Sequence, residues 1–587
     1  MTYQVRILLQ KYHPEYLLKS VSLLSLLLTS CGQRANSGNG SNTGDIQVDT
    51  DASGLATVRI YKNNDYSSNG RFVPADKVDL ELNYNDLSGT LSNNKSVMPS
   101  LGDANLLVIP VHLPGGNEYK TDKVKSDIEK VFFGDKDDSS LGFKSVKQYY
   151  SEASYGKFNL SGTVTDWFDA TTLVSDVKDI TSGTEGTIVN KILRGAVDWA
   201  GSSQGINLKD FDNNEDGNID GVYLVYDHLD WTTENYIQHE SNPQFDSSTL
   251  NQAFWNFTYW DFYSKSKNDE PATSGFSWSS FDMMYTSYCE RNKNDTPDLS
   301  DLSKIKLDSH TFIHEFGHLL GLEDYYSSSD SSYHPAGEST MMDQNIGDLD
   351  SYSKMLLGWV TPYVVYGTSE ITITNVSKNS GNSVIVIPSN YAEISQSVED
   401  AIKGNRIDKF RYTFNPFSEY LMIDLYTPDG NNEQDTYGPY VFDRSAMANK
   451  VGVRIYHIDS RIFKCKVVDY MGGQKLAYVD GYVWDGQMLA DDEAILMPIS
   501  NNMSESKNFQ LPQSFDYFDQ IRLLESSGIN TFDKNGMMTN QTLYYSESKP
   551  FDIMSYGYQF FNGRYTYDDG NELPFKVKVL NVEDKGE

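Results

Sequence analysis

Cysteine, histidine and basic side chains are all scarce in this chain. Its 587 residues include three cysteines, so a disulfide framework of the kind that staples small secreted folds is excluded. Lysine and arginine number 48 against 82 aspartates and glutamates, a net charge of −34, which argues against nucleic acid or an anionic membrane face as partner. A leucine-rich run at residues 21–28 falls well short of the roughly 20 residues a membrane-spanning helix needs. What remains is a chain long enough for about two to four domains with substantial cores. Tyrosine is abundant, and joints rich in Ser, Asn, Gly and Asp recur, as suits a soluble, β-rich extracellular protein.

Against a background of nine histidines, two of them fall one helical turn apart in His314-Glu315-Phe316-Gly317-His318. Side chains at i and i+4 share a helix face, so His314 and His318 can grip one metal ion. Glu315 stands beside the open coordination position, where a metal-bound water needs a base. The helix expectation rests on an apolar stripe of Phe312, Phe316, Leu319 and Leu320, with Asp308 as N-cap and Gly321 as stop. Gly321 can take positive φ and swing Asp324 back as a third ligand. This is the pattern of a zinc peptidase.

Glu338 is the rival third ligand, but Pro335, Ala336 and Gly337 precede it, poor context for the interior of a ligand-bearing helix. His310 reads as an N-terminal helix residue with a local partner. Farther on, Met341 or Met342 can supply the thioether floor of a methionine turn. The oxyanion of the reaction needs a donor, and Tyr325, Tyr326, Tyr333 and His334 are all near in sequence.

Residues 308–326, with Met341-Met342-Asp343 and residues 351–360, resemble the immune inhibitor A family of secreted bacterial metallopeptidases; residues 106–113, 145–156 and 452–459 are similar too. The resemblance spans roughly residues 100–580, although only the metal motif is specific alone. It implies a metzincin-like helix with zinc on His314, His318 and Asp324, Glu315 as catalytic base, and Met342 as the turn methionine. Protein or peptide substrates follow from it. The competing reading is a surface lipoprotein that binds extracellular ligands through a β-domain, with an inactive zinc scaffold; the presence of the base Glu315 weighs against it.

The N-terminus carries its own signal. Leu28-Thr29-Ser30-Cys31-Gly32 resembles the lipobox of bacterial lipoproteins, with Arg6, Lys11 and Lys19 supplying the positive lead-in. Residues 1–31 are therefore expected to be a signal peptide ending at a lipid-modified Cys31, and residues 32–54 a flexible tether. That places the protein at the extracellular face of a bacterial membrane, with simple secretion as the alternative. Cys289 and Cys465 are expected to be buried thiols.

The remaining chain reads as α+β: a small β-rich segment at 55–98 that could serve as a propeptide, a metallopeptidase domain at 99–362, and a β-sandwich-type accessory domain at 363–587. Strands are expected at 106–111 and 221–226, with Pro110 hinting at a strand end or sheet edge, and helices near 122–133, 146–155 and 188–200. Residues 227–308 look like an insertion, and 281–288 like an edge strand able to hold an extended peptide. His457 and Asp459 are expected to be structural. One further loop stands out: Asp212, Asn214, Asp216, Asn218 and Asp220 present oxygen ligands with calcium-type spacing, though the Glu that would close an EF-hand is replaced by Tyr223. The expected ions are therefore Zn²⁺ and Ca²⁺, and the expected state is a monomer.

Overall fold

The computed structural model describes residues 53–62, 72–74, 98–286, 299–377, 383–386, 419–436, 446–470, 473–478, 483–484, 487–488, 495–498, 501, 509–510 and 519–585, with short interruptions at 117, 136–137, 182–184, 243, 247–249, 251–252, 262–263, 267–268, 328–331, 361, 366, 461, 562 and 569–571. Cys31, the expected signal peptide, most of the expected tether and Cys289 lie outside the described residues, as does the side chain of Cys465. Among the described residues, no helix is long and apolar enough to cross a membrane.

Two strands, β1 (Gly54–Lys62) and β2 (Phe72–Pro74), precede a mixed unit. That unit runs β3 (Gly102–His112), α1 (Asp122–Phe133), α2 (Val146–Ala153), β4 (Phe158–Val164), α3 (Glu185–Ser203), β5 (Val222–Tyr226), β6 (Phe257–Trp260), β7 (Gly275–Ser280), α4 (His310–Leu319) and α5 (Ser351–Leu356). Its sheet has the order β4-β3-β5-β7-β6; the first four strands are parallel, and β6 runs antiparallel at the edge. Both faces are covered, which is why β3 and β5 read as almost continuous apolar runs. Leu106 and Val108 enter one core with Phe132, Tyr150 and Phe316, while Leu107, Ile109 and Val111 enter another with Val189, Leu193 and Val197 of α3.

Local chemistry sets the helix starts. Thr121 accepts the N–H of Val124 at 3.2 Å, and Ser145 and Gln148 form a reciprocal capping box on α2. Pro110 proves to be interior to the sheet. It pairs with Val225 on one side, and on the other it falls between the Val108–Val164 pair and the Val111–Phe168 pair, a gap in the ladder where its missing N–H removes nothing.

The expected edge strand at 281–288 is corrected. The strand is β7, which ends at Ser280 and is hydrogen-bonded on both sides. The chain then turns: the N–H groups of Tyr285 and Thr286 bond to the carbonyl of Asp282 at 2.9 and 2.8 Å. The true edge is β6, so residues 227–308 are no insertion; they supply two strands of the central sheet.

Beyond α5 come β8 (Tyr363–Val365), β9 (Ser369–Thr374), β10 (Val384–Val386), β11 (Glu419–Tyr426), β12 (Gly452–Asp459), β13 (Ile521–Leu523), β14 (Phe551–Asp552) and β15 (Phe575–Asp584). They build two sheets, ordered β2-β8-β10-β11-β12-β13 and β9-β1-β15-β14. The N-terminal strand β1 is thus a central strand of a sheet made otherwise from strands beyond residue 368. Ala56, Val58 and Ile60 on its inner face are at most 1 % exposed.

All eight residues of β11 are buried, unusual for an antiparallel strand, because layers lie on both of its faces. Leu421, Ile423 and Leu425 pack with Val58, Ile371 and Val577, whereas Tyr420, Met422 and Tyr426 join the core that surrounds α4. A buried polar seam lies along this second face. Arg454 is bidentate to Asp424 at 2.8 and 2.8 Å, and Ser351 donates to the same carboxylate. Lys354, fully buried, bonds to Asp348 and to the carbonyl of Val376 at 2.7 Å. Asp435 accepts from Asn345 at 2.9 Å and from the N–H of Ile346 at 3.2 Å. Charges this deep persist only when paired, and here the pairing fixes the loop that follows Met342. His457 is buried as well: its Nε2 lies 2.9 Å from Glu419, and ligand atoms of Glu419, His457 and Asp568 lie within 4.8 Å of one another.

Candidate metal centre

Helix α4 is pinned from below by Phe312, Ile313, Phe316 and Leu319, all at most 1 % exposed. Ser309 rather than Asp308 occupies the cap position, yet Asp308 still accepts the first helical N–H, that of His310, at 2.9 Å. Past the helix, Gly321 has φ +96°, with its N–H on the carbonyl of His318 at 2.8 Å and that of Leu322 on Gly317 at 3.0 Å. A side chain would be strained there, so glycine lets the chain reverse and return Asp324 to the helix face.

The two imidazoles stand perpendicular, with centroids 5.0 Å apart. His314 Nδ1 lies 2.8 Å from the carbonyl oxygen of Met341, and His318 Nδ1 lies 2.7 Å from that of Leu322. A carbonyl can only accept, so both Nδ1 atoms carry protons and both Nε2 atoms are left to bind a proton or a metal. Those Nε2 atoms converge on one oxygen of Asp324, at 3.0 and 3.3 Å. The ligand atoms of His314, His318 and Asp324 all lie within 4.8 Å of one another. This donor set fits a divalent transition metal: two neutral nitrogens of fixed tautomer, one carboxylate, and backbone partners that hold the rings.

The electrostatics agree with the geometry. Burial disfavours charge on both histidines, but the Asp324 carboxylate outweighs it, raising His314 above its ordinary value and His318 to about 10. Burial likewise opposes the Asp324 charge, yet the facing imidazoles hold its carboxyl far below the usual range. Glu315, 6 % exposed, is raised by burial against the partial relief of the two histidines.

Glu338 does not join the site. It sits at φ +53°, with its carboxylate 3.6 Å from His334 Nε2 and its N–H on Asp343 at 2.8 Å. Met342 packs against α4 at Gly317, where an added Cβ would lie 2.5 Å from its sulfur. Met341 contributes its backbone instead. Of the four candidate donors, Tyr325 is buried on Ser353, Tyr333 on Asp519 and His334 on Asp343. Only Tyr326 reaches the site, its ring stacked beside His314 and its hydroxyl bonded to Asp324.

One contact has no sequence signature. Thr258 on the edge strand β6 donates to Glu315 Oε2 at 2.8 Å, next to its cross-strand partner Ser277. A threonine in a strand is too ordinary a residue to announce such a role.

In the acidic loop before β5, ligand oxygens of Asp212, Asp216 and Asp220 come within 4.8 Å of one another. Positive φ at Glu215 and Gly217 makes the turn. Several of its oxygens accept backbone N–H groups: Asp212 from Asp216 and Gly217 at 2.9 Å each, and Asp220 from Asn213 at 2.7 Å. Asn214 and Asn218 place their amides against Asp216, at 3.4 and 3.0 Å.

Residues 100–238 match the immune inhibitor A peptidase M6 family, catalytic domain. No curated protein matches the chain. The matched stretch covers β3 to β5 and ends before α4. It identifies a metallopeptidase domain, with proteins or peptides as its substrate class.

Proposed function

The chain carries a catalytic domain of the immune inhibitor A-like peptidase family, and we propose that it is a zinc-dependent endopeptidase acting on extracellular proteins. The convergence of His314 and His318 Nε2 on Asp324, with both Nδ1 atoms held by carbonyls, is the observation that carries this reading. His314, His318 and Asp324 would hold the ion. When bound, zinc polarises the scissile carbonyl and lowers the pKa of water to about 7.

The protein's own groups do the rest. Glu315 takes the proton of the attacking water and returns it to the leaving amine, a role for which a carboxylate raised by burial is suited. Tyr326, stacked beside His314, would turn its one hydroxyl proton from Asp324 to the reacting carbonyl. The edge of β6, which carries no further strand among the described residues, would accept the substrate as an added antiparallel strand, so that extended segments are cut in preference to helical ones. The β-rich region is read as a sandwich-type accessory domain, and Cys31 as a lipid anchor at the extracellular face of a bacterial membrane.

Metal analysis paired with casein hydrolysis tests this. The soluble chain after Cys31 should contain one zinc and hydrolyse casein, whereas His318→Ala should lose both. Correctly folded wild-type protein that binds no zinc would sink the proposal.

The acidic loop is proposed to bind calcium through Asp212, Asn214, Asp216, Asn218 and Asp220, bracing β5. At saturating calcium the midpoint of thermal unfolding should rise, by about 2.7 kcal/mol of linkage at a hundredfold excess over Kd. Asp216→Asn should abolish the rise, and no rise in wild type would refute calcium binding.

A further inference from the structure

Glu315 of helix α4 is contacted by a residue of the edge strand β6. Thr258 and Ser277 are directly paired across β6 and β7, and their hydroxyls both point at α4. Thr258 Oγ1 lies 2.8 Å from Glu315 Oε2, 3.0 Å from the Glu315 carbonyl oxygen and 2.8 Å from Ser277 Oγ. Ser277 Oγ lies 3.4 Å from that same carbonyl.

A hydroxyl has one proton to give. Three acceptors compete for that of Thr258, and the ionised carboxylate is the strongest, because a bond to a charged oxygen is about twice as strong as a neutral one. Ser277 then donates into the Thr258 oxygen, which polarises the Thr258 O–H further toward Glu315. Three torsions separate a glutamate carboxylate from its backbone, and burial alone does not select one setting of them. A hydrogen bond to Oε2 does, and it leaves Oε1 as the oxygen available for proton transfer.

We propose that Thr258 is a positioning residue for the general base: its hydroxyl, backed by Ser277, fixes the Glu315 carboxylate so that Oε1 faces the reacting water. This rests on the peptidase reading above. It also places the residue that aims the base on the strand that receives the substrate, so peptide docking on β6 and the readiness of Glu315 are mechanically linked.

Thr258→Val removes the hydroxyl at nearly constant shape, and Thr258→Ser keeps it. The expected result for Thr258→Val is a kcat lower by roughly ten- to a hundredfold, the cost of a misplaced catalytic group, with KM within about twofold and zinc content unchanged. Thr258→Ser should recover most of the loss. A purely structural role would instead lower the thermal midpoint and leave kcat of the folded enzyme intact, which would overturn the assignment. A second readout needs no turnover: in crystals of the metal-free protein, Thr258→Val should show the Glu315 carboxylate swung from its wild-type position. An unmoved carboxylate overturns the assignment even if the peptidase reading stands. A wild-type enzyme that hydrolyses nothing counts against the peptidase reading, while the carboxylate position still decides the role of Thr258.

Discussion

Glu315→Gln lowers peptide hydrolysis by roughly 10²- to 10⁴-fold, the usual share of a general base, while the protein keeps its metal. The amide has nearly the same shape, and its oxygen can still accept the Thr258 hydroxyl, so the packing of a side chain that is 6 % exposed is preserved. What disappears is an oxygen able to take a proton. The three groups that would hold the ion are untouched, and their partners on Met341 and Leu322 are backbone atoms that no change at residue 315 removes. Metal content measured beside kcat therefore separates loss of the base from loss of the site. Hydrolysis at the wild-type rate would exclude Glu315 as base; loss of metal would show instead that the substitution disturbs α4.

A chain that begins at residue 98 should fail to reach a stable monomeric fold. The segment before it includes β1, which pairs with β9 on one side and β15 on the other. Its removal uncovers Ile371, Ile373, Val577 and Val579 and leaves two ladders without partners. Loss of the Val58 and Ile60 side chains alone forfeits about 1.5–3 kcal/mol each. A typical total stability is about 5–15 kcal/mol, so together with the broken ladders this is enough to unfold the region. A synthetic peptide of residues 53–62 should restore a cooperative thermal transition when added to the truncated chain. Processing of the N-terminal segment, if the enzyme uses it, must then spare residues 54–62. A well-folded truncated chain with an unchanged thermal midpoint would refute the argument.

The candidate metal helix was legible because its information is local. His314, Glu315, His318, Gly321 and Asp324 lie within eleven residues, and helical spacing together with one glycine reversal sets their geometry. The strands β3 and β5 were visible for a similar reason, as dense apolar runs. The edge of the sheet was misread because β7 is Gly-Phe-Ser-Trp-Ser-Ser, half of it serine, and does not look buried. Those serines are accommodated by hydrogen bonds: Ser277 to Thr258, Ser279 to Tyr223, and Ser280 to Asp282 and His228. The aromatic segment after it looks more like a strand, but Asp282 folds it into a turn. Nothing near residue 58 announces a partner near residue 579, and nothing near Thr258 announces Glu315. Pairings of that kind are properties of the assembled sheet, and no window of sequence contains them.

The register that sets Gly54 opposite Asp584 has a bearing on how the chain is born. Contacts between such distant residues carry a large loop-closure entropy and form late. A ribosome delivers the first strand long before the last, so at about 5–20 residues per second the N-terminal strand waits tens of seconds for its neighbour. Until then the sheet behind β11 is incomplete, and β11 is one wall of the core around α4. Completion of that sheet therefore has to wait until residues 575–584 have been synthesised.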